Sequence, residues 1–157
     1  MNARQTILLV DDSENDLFLM SRAFEKADFK SPLQTVHNGE QAIAYLKGEG
    51  VYNDRNHYPL PMVMLLDLNM PMKNGFEVLE WVRNQPALKR LSIIILTASL
   101  RNEDVERAFD FGANAFLVKP STLEQLTTMV RRLRDWIEIN HFPPLHAGGA
   151  MIRTLEI

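Results

Sequence analysis

The sequence predicts an α/β domain, a parallel β-sheet with helices on both faces. Three observations lead there. Four short apolar runs, Ile7 to Val10, Met62 to Leu66, Ile93 to Leu96 and Phe116 to Val118, are unbroken rather than alternating apolar with polar. Stretches with helical spacing fill the gaps between them. Strand pattern then helix pattern recurs five times in that order. A strand with one wet face alternates, whereas a strand buried on both faces is apolar throughout. Repeated strand-then-helix units make right-handed crossovers and hence parallel pairing.

Each element has its own signal. The first strand is Ile7 to Val10. The helix after it carries Leu17, Met20, Phe24 and Ala27 on one face, with Ser13 as N-cap and Asp16 three residues on. Leu33 to Val36 is a weaker second strand, followed by a short helix marked by Ala42, Ile43 and Leu46. Residues 48–61 form a long polar connection outside the repeat, read as a surface insertion or as a partner-specific loop. Beyond the third strand, Phe76, Leu79 and Val82 mark a helix that starts at Gly75. Val105, Ala108 and Phe109 mark the fourth helix, ended by Gly112. Leu123, Leu126, Val130, Leu133 and Ile137 mark the fifth, for which Ser121 and Glu124 form a candidate capping box. Phe142-Pro143-Pro144 cannot continue that helix. The organisation expected is one domain over 1–140 and a tail over 141–157, without a separate effector domain.

Composition narrows the function. The 157 residues suit one domain, and 46% hydrophobic content supports a sizeable core. A net charge of −3 offers no basic footprint for nucleic acid. The absence of cysteine excludes disulfides, thiol catalysis and cysteine metal sites. The N-terminal apolar run is too short for a signal peptide, and no stretch approaches a membrane span. A soluble, cytoplasmic protein is expected.

The chemistry lies where the apolar runs stop. In open parallel sheets, ligands bind beyond the carboxyl ends of the strands. Asp11 and Asp12 follow the first strand, Asp67 follows the third, Thr97 ends the fourth and Lys119 follows the fifth. Three carboxylates, a hydroxyl and an ammonium therefore converge on one edge. Crowded carboxylates repel one another, and a hard divalent cation relieves that repulsion. Mg²⁺ typically takes one or two carboxylates together with phosphate oxygens. The set suits Mg²⁺ (or Mn²⁺) and an incoming phosphoryl group, with Asp67 as nucleophile. The cation and Lys119 would neutralise charge on the phosphoryl oxygens, and Thr97 would donate a hydrogen bond to one of them. Singly, each residue has a plainer role, such as a helix N-terminal acid, a turn residue or a surface charge. The four histidines, His37, His57, His141 and His146, lack ligand spacing.

The stretches LLVDDSEND, LLDLNMPMKNG, IIILTAS and ANAFLVKP resemble, in order, the receiver domain of bacterial response regulators, the CheY-like superfamily. The resemblance spans residue 6 to residue 139. It implies a flavodoxin-like sheet ordered 2-1-3-4-5 and phosphorylation of Asp67 by a sensor histidine kinase. It implies metal ligation by Asp12, Asp67 and the backbone carbonyl of Asn69, with Asp11 acting through water. It implies a switch pair of Thr97 and Phe116, and a cis peptide at Lys119-Pro120. Asn69 and Ser99, two residues beyond Asp67 and Thr97, are expected to flank the attacking water and tune hydrolysis.

Two rival functions follow from the same residues. One is a hydrolase with an aspartyl-phosphate intermediate, disfavoured because Asn69 stands where such enzymes carry a second acid. The other is a binding module whose output is independent of phosphorylation, disfavoured by the complete acidic, Thr97 and Lys119 set. A dinucleotide enzyme is disfavoured because no Gly-rich phosphate loop follows the first strand. With no effector domain, the expected output is contact with other proteins. The long connection before the third strand resembles the single-domain regulators paired with bacterial phytochromes. Met129, Trp136 and Ile139 lie partly off the inner stripe of the fifth helix, and Phe142 follows it. They suggest a twofold dimer through the fourth helix, fifth strand and fifth helix, or a tail folded back over them.

Overall fold

The computed structural model describes residues 6–145. Strand and helix alternate as β1 (Ile7–Val10), α1 (Glu14–Lys26), β2 (Leu33–Val36), α2 (Gly39–Lys47), β3 (Val63–Leu66), α3 (Gly75–Arg83), β4 (Ser92–Thr97), α4 (Asn102–Asp110), β5 (Ala115–Val118) and α5 (Leu123–Ile139). All neighbouring strands pair parallel, in the order β2-β1-β3-β4-β5. The expected flavodoxin-like topology is the one found.

The unbroken apolar runs have a direct cause. Successive side chains of a strand point to opposite faces. Leu8, Val10, Met64, Leu66, Ile93 and Ile95 enter one core with Leu46 of α2, Leu79 of α3 and Ala108 of α4. Ile7, Leu9, Val63, Leu65, Ile94 and Leu96 enter the other with α1 and α5. The edge strand departs from the expectation of two buried faces: Ala115, Phe116 and Leu117 are half-buried and Val118 is exposed. It has a strand neighbour on one side only.

Helix ends follow local chemistry with one shift. Ser13 Oγ accepts from the Asp16 N–H at 3.2 Å, as expected. Asn74 and Glu77 form a reciprocal capping box that starts α3. At α5 the cap is Thr122, not Ser121: its hydroxyl accepts from the Gln125 N–H at 3.1 Å. Thr122 is the last residue with extended backbone, so the helix begins at Leu123 and Glu124 falls one position short of a capping box. On α4 only Ala108 is buried, and Phe109 is 48% exposed, so the expected inner stripe there is narrower than read. The described chain contains no cis peptide bond. Lys119-Pro120 is therefore trans, the isomer that X-Pro bonds favour by ~0.5–1 kcal/mol.

The connection over 48–61 is packed rather than loose. Gly48 ends α2 with φ of 74°, in the left-handed region. Arg55 then donates to the Tyr45, Leu46 and Tyr58 carbonyls at 2.8–2.9 Å, satisfying the end of α2. The Tyr45 hydroxyl donates to the Pro59 carbonyl at 2.8 Å, and the Tyr45, Tyr52 and Tyr58 rings pack within 5.9 Å of one another. Phe142 packs edge-on against Trp136 at 5.5 Å, so the start of the tail does fold back over α5. The remainder of the tail, residues 146–157, lies outside the described residues. Among the described residues no helix is long and apolar enough to cross a membrane.

Candidate functional site

Parallel register brings the strand ends to one edge. Val10 pairs with Leu66, Leu66 with Ile95, and Thr97 with Val118. The backbone ladder continues one residue further on three strands. Asp11 N–H donates to the Val36 carbonyl, Asp67 N–H to Val10 and Lys119 N–H to Thr97, at 3.2, 3.0 and 2.8 Å. The functional side chains are thus fixed by main-chain bonds before any side-chain contact is made. The α3 terminus closes in behind them. A Cβ on Gly75 would lie 2.4 Å from the Asp67 carbonyl oxygen, so only glycine permits this approach.

Asp11 and Asp67 are buried and Asp12 is exposed, and each offers a carboxylate oxygen within 4.8 Å of the others. The Lys119 ammonium lies among the acids, 2.5 Å from Asp11 Oδ2, 2.8 Å from Asp16 Oδ2 and 3.5 Å from Asp67 Oδ2. Asp11 Oδ1 accepts from the Ser13 N–H at 3.0 Å. Burial pushes the Asp11 carboxyl above its ordinary pKa, outweighing the opposing hydrogen bonds from Lys119 and Ser13. Burial pulls the other way on Lys119. Its bonds to Asp11 and Asp16, with the charge on Asp67, override that and hold it above the usual lysine range. These contacts favour the charged form of Lys119.

Thr97 is completely buried, and its hydroxyl has no hydrogen-bond partner among the described residues. A buried hydroxyl left unpaired is costly, and it marks a position that awaits an acceptor. Three clustered carboxylates, a fixed cation and an orphan donor fit a divalent cation together with a phosphoryl group.

The structure brings together Asp11, Asp12, Asp67, Thr97 and Lys119. Asn69 lies in the same loop as Asp67, and its N–H makes a long 3.4 Å approach to Asp67 Oδ1. Phe116 is half-buried on β5 and packs on the core beneath α4. Ser99 is tied up elsewhere: its hydroxyl donates to Asp104 Oδ2 at 2.5 Å and accepts from the Arg101 N–H at 3.3 Å. It is bound to the first turn of α4. Asp16 is the residue that sequence reasoning missed. It served there only as a helix-start position. Spacing offered no signal for it, because Asp12 precedes the Ser13 cap and lies outside α1, so no helical period relates the two acids.

Comparison with known proteins agrees with this geometry. Residues 7–131 match the family described as response regulator receiver domain. The response regulator Rcp1 of the cyanobacterium Synechocystis is 34% identical over 143 residues, covering 90% of this chain and 95% of that protein. The phosphorylated cyanobacterial phytochrome response regulator RcpA superposes with a TM-score of 0.82 at 31% identity, covering 90% of this chain and 99% of the other. The Mn²⁺-bound form of Rcp1 superposes with a TM-score of 0.78 at 33% identity, covering 89% and 99%.

Proposed function

Since the chain belongs to the response regulator receiver domain family, we propose that Asp67 is its phosphoacceptor, charged by a sensor histidine kinase of the phytochrome type. The observation that carries this is the Lys119 ammonium 3.5 Å from the buried Asp67 carboxylate, at the strand edge where Thr97, main-chain bonded to Lys119, keeps a hydroxyl unpartnered among the described residues. The kinase class rests on similarity to RcpA and Rcp1.

In the reaction, an Asp67 carboxylate oxygen forms a bond to phosphorus as the phosphorus–nitrogen bond of phosphohistidine breaks. The bonding pair returns to the imidazole nitrogen. Lys119 holds a positive charge against the transferred oxygens, and Thr97 gives its unused hydroxyl hydrogen to one of them. Asp12, Asp67 and the Asn69 carbonyl would hold Mg²⁺ or Mn²⁺, with Asp11 acting through water. The chemistry such an ion supplies is neutralisation of the phosphoryl and carboxylate charge. The same site serves self-phosphorylation from small acyl phosphates and self-hydrolysis. In hydrolysis, water attacks phosphorus and restores the Asp67 carboxylate, with Asn69 and Ser99 tuning the rate. Ser99 must leave Asp104 to take part.

Thr97 and Phe116 relay the modified state to α4, β5 and α5. Phe109 of α4, Val118 of β5 and Trp136 and Ile139 of α5 are exposed, apolar surface on these elements that supports a twofold homodimer through them. The working unit is the receiver over 1–140 with its tail over 141–157, acting in the cytoplasm beside its kinase. Replacing Asp67 with Asn tests the assignment. Labelling by acetyl phosphate and by a phosphorylated kinase should vanish while the melting temperature is retained. Full labelling of the variant would remove Asp67 from the role.

A further inference from the structure

We propose that Asp16, in the first turn of α1, is a positioning residue for Lys119. It aims the ammonium so that its remaining N–H faces the phosphorylated oxygen of Asp67. This rests on Asp67 being the phosphoacceptor. An ammonium has three N–H donors and no acceptor. Here the three acceptors around Nζ are Asp11 at 2.5 Å, Asp16 at 2.8 Å and Asp67 at 3.5 Å. The two short bonds come from opposite ends of the β1–α1 connection and fix the head group. The third contact is the long one and goes to Asp67 Oδ2, leaving that N–H the least committed of the three.

Lysine makes such a device necessary. Its four-carbon stem is flexible and its charge is a point, so orientation must come from its surroundings. Asp11 alone leaves rotation about one bond. A second anchor removes that freedom before the donor arrives, which is the preorganisation that lowers a barrier. Asp16 is itself well held: its N–H is capped by Ser13 Oγ, and Ser13 N–H is held in turn by Asp11 Oδ1. The turn Asp11-Ser13-Asp16 is therefore a rigid bracket around the ammonium. Asp16 is partly exposed and is not among the three carboxylates whose oxygens gather within 4.8 Å. Its charge reaches the reaction through Lys119.

The test measures labelling by acetyl phosphate across a Mg²⁺ titration, in the full chain. Asp16→Ala should lower the maximal rate roughly tenfold, the worth of one charge-assisted hydrogen bond. The half-saturating Mg²⁺ concentration should stay within about twofold, because removing Asp16 should leave the ion's own carboxylates in place. Asp16→Asn, which keeps an acceptor oxygen and the helix start, should recover most of the rate. The Lys119 ammonium resonance in ¹⁵N NMR should broaden through solvent exchange in Asp16→Ala and sharpen again in Asp16→Asn. An unchanged maximal rate in Asp16→Ala would overturn the proposal. So would a tenfold shift in half-saturating Mg²⁺ at unchanged maximal rate, which would make Asp16 a metal-field residue. Asp67→Asn run in parallel separates the two ideas. If it abolishes labelling while Asp16→Ala labels normally, only the positioning role falls.

Discussion

At the residue scale, Thr97 carries the most informative anomaly. Its hydroxyl is buried without a partner among the described residues. Leaving a buried donor unpaired costs ~1–3 kcal/mol relative to an apolar group of the same shape. Thr97→Val keeps the shape and removes the donor. We expect that variant to be more stable than the parent by about 1 kcal/mol in metal-free, unphosphorylated protein, read as a higher denaturant midpoint at unchanged slope. The same variant should still be labelled but should lose the phosphorylation-dependent change in partner binding. A midpoint that falls instead would mean the hydroxyl already has a partner. A higher midpoint would mean that stability is given up at the residue proposed to start the signal.

At the element scale, the packing of α3 against the β3 end decides how rigidly Asp67 is held. The helix approaches so closely that a methyl group on Gly75 would contact the Asp67 carbonyl and the Leu68 Cα, at 2.4 and 2.8 Å. Both are backbone atoms, so neither can swing aside. Gly75→Ala should cost about 1–3 kcal/mol, the range for overpacking a tight contact. It should also slow labelling by acetyl phosphate, since relief requires the Asp67 backbone to shift. Normal labelling kinetics in a destabilised variant would show that the helix moves and the acceptor does not. Elsewhere the elements are tied by arginines rather than by charge pairs. Arg83 on α3 donates twice to the Gly112 carbonyl and once each to Lys89, Leu91 and Asn114, at 2.7–2.9 Å. It joins the end of α3 to the turn between α4 and β5.

At the scale of the whole molecule, the acidic edge is expected to couple stability to metal and to pH. An ion that binds only the native state adds RT ln(1 + [L]/Kd), or ~2.7 kcal/mol at a hundredfold excess over Kd. Melting temperature should rise with Mg²⁺, and Asp12→Ala should remove most of the rise. Asp11 is expected to contribute to the pH dependence. Burial raises its folded pKa above the reference 3.8. Without metal, its contribution to stability is complete below the unfolded value and is lost as pH rises through the raised folded value. A cation favours the ionised form, so the Mg²⁺-dependent rise should grow with pH across that interval. It should also begin to fade on acidification earlier than an ordinary carboxylate would allow. A metal effect equal at all pH values would exclude Asp11 from the site. Self-association belongs to this scale too. Sedimentation of the full chain and of a chain ending at Asn140, each with and without beryllofluoride, should give a dimer in the phosphoryl-mimic state. Monomers throughout at tens of micromolar would leave the exposed α4–β5–α5 face without a twofold partner.

By itself the sequence determined the fold class and the acidic edge of the sheet, and both for a local reason. A strand buried on two faces must be apolar without interruption, so Ile7 to Val10 and Ile93 to Leu96 were legible as central strands. The residue after each run must then lie at the carboxyl edge, which located Asp11, Asp67 and Lys119. What periodicity could not reach is any distance between segments remote in the chain. Asp16 and Lys119 are 103 residues apart, and only the assembly of β1, β3, β4 and β5 into one parallel sheet brings their charges to 2.8 Å. The packing of Tyr52 and Tyr58 on Tyr45 and the half-exposed β5 were likewise decided by tertiary packing. Whether a side chain finds a partner depends on what the rest of the fold places beside it. The unpaired hydroxyl of Thr97 is the clearest case, because its residue type alone is indistinguishable from an ordinary strand-end threonine.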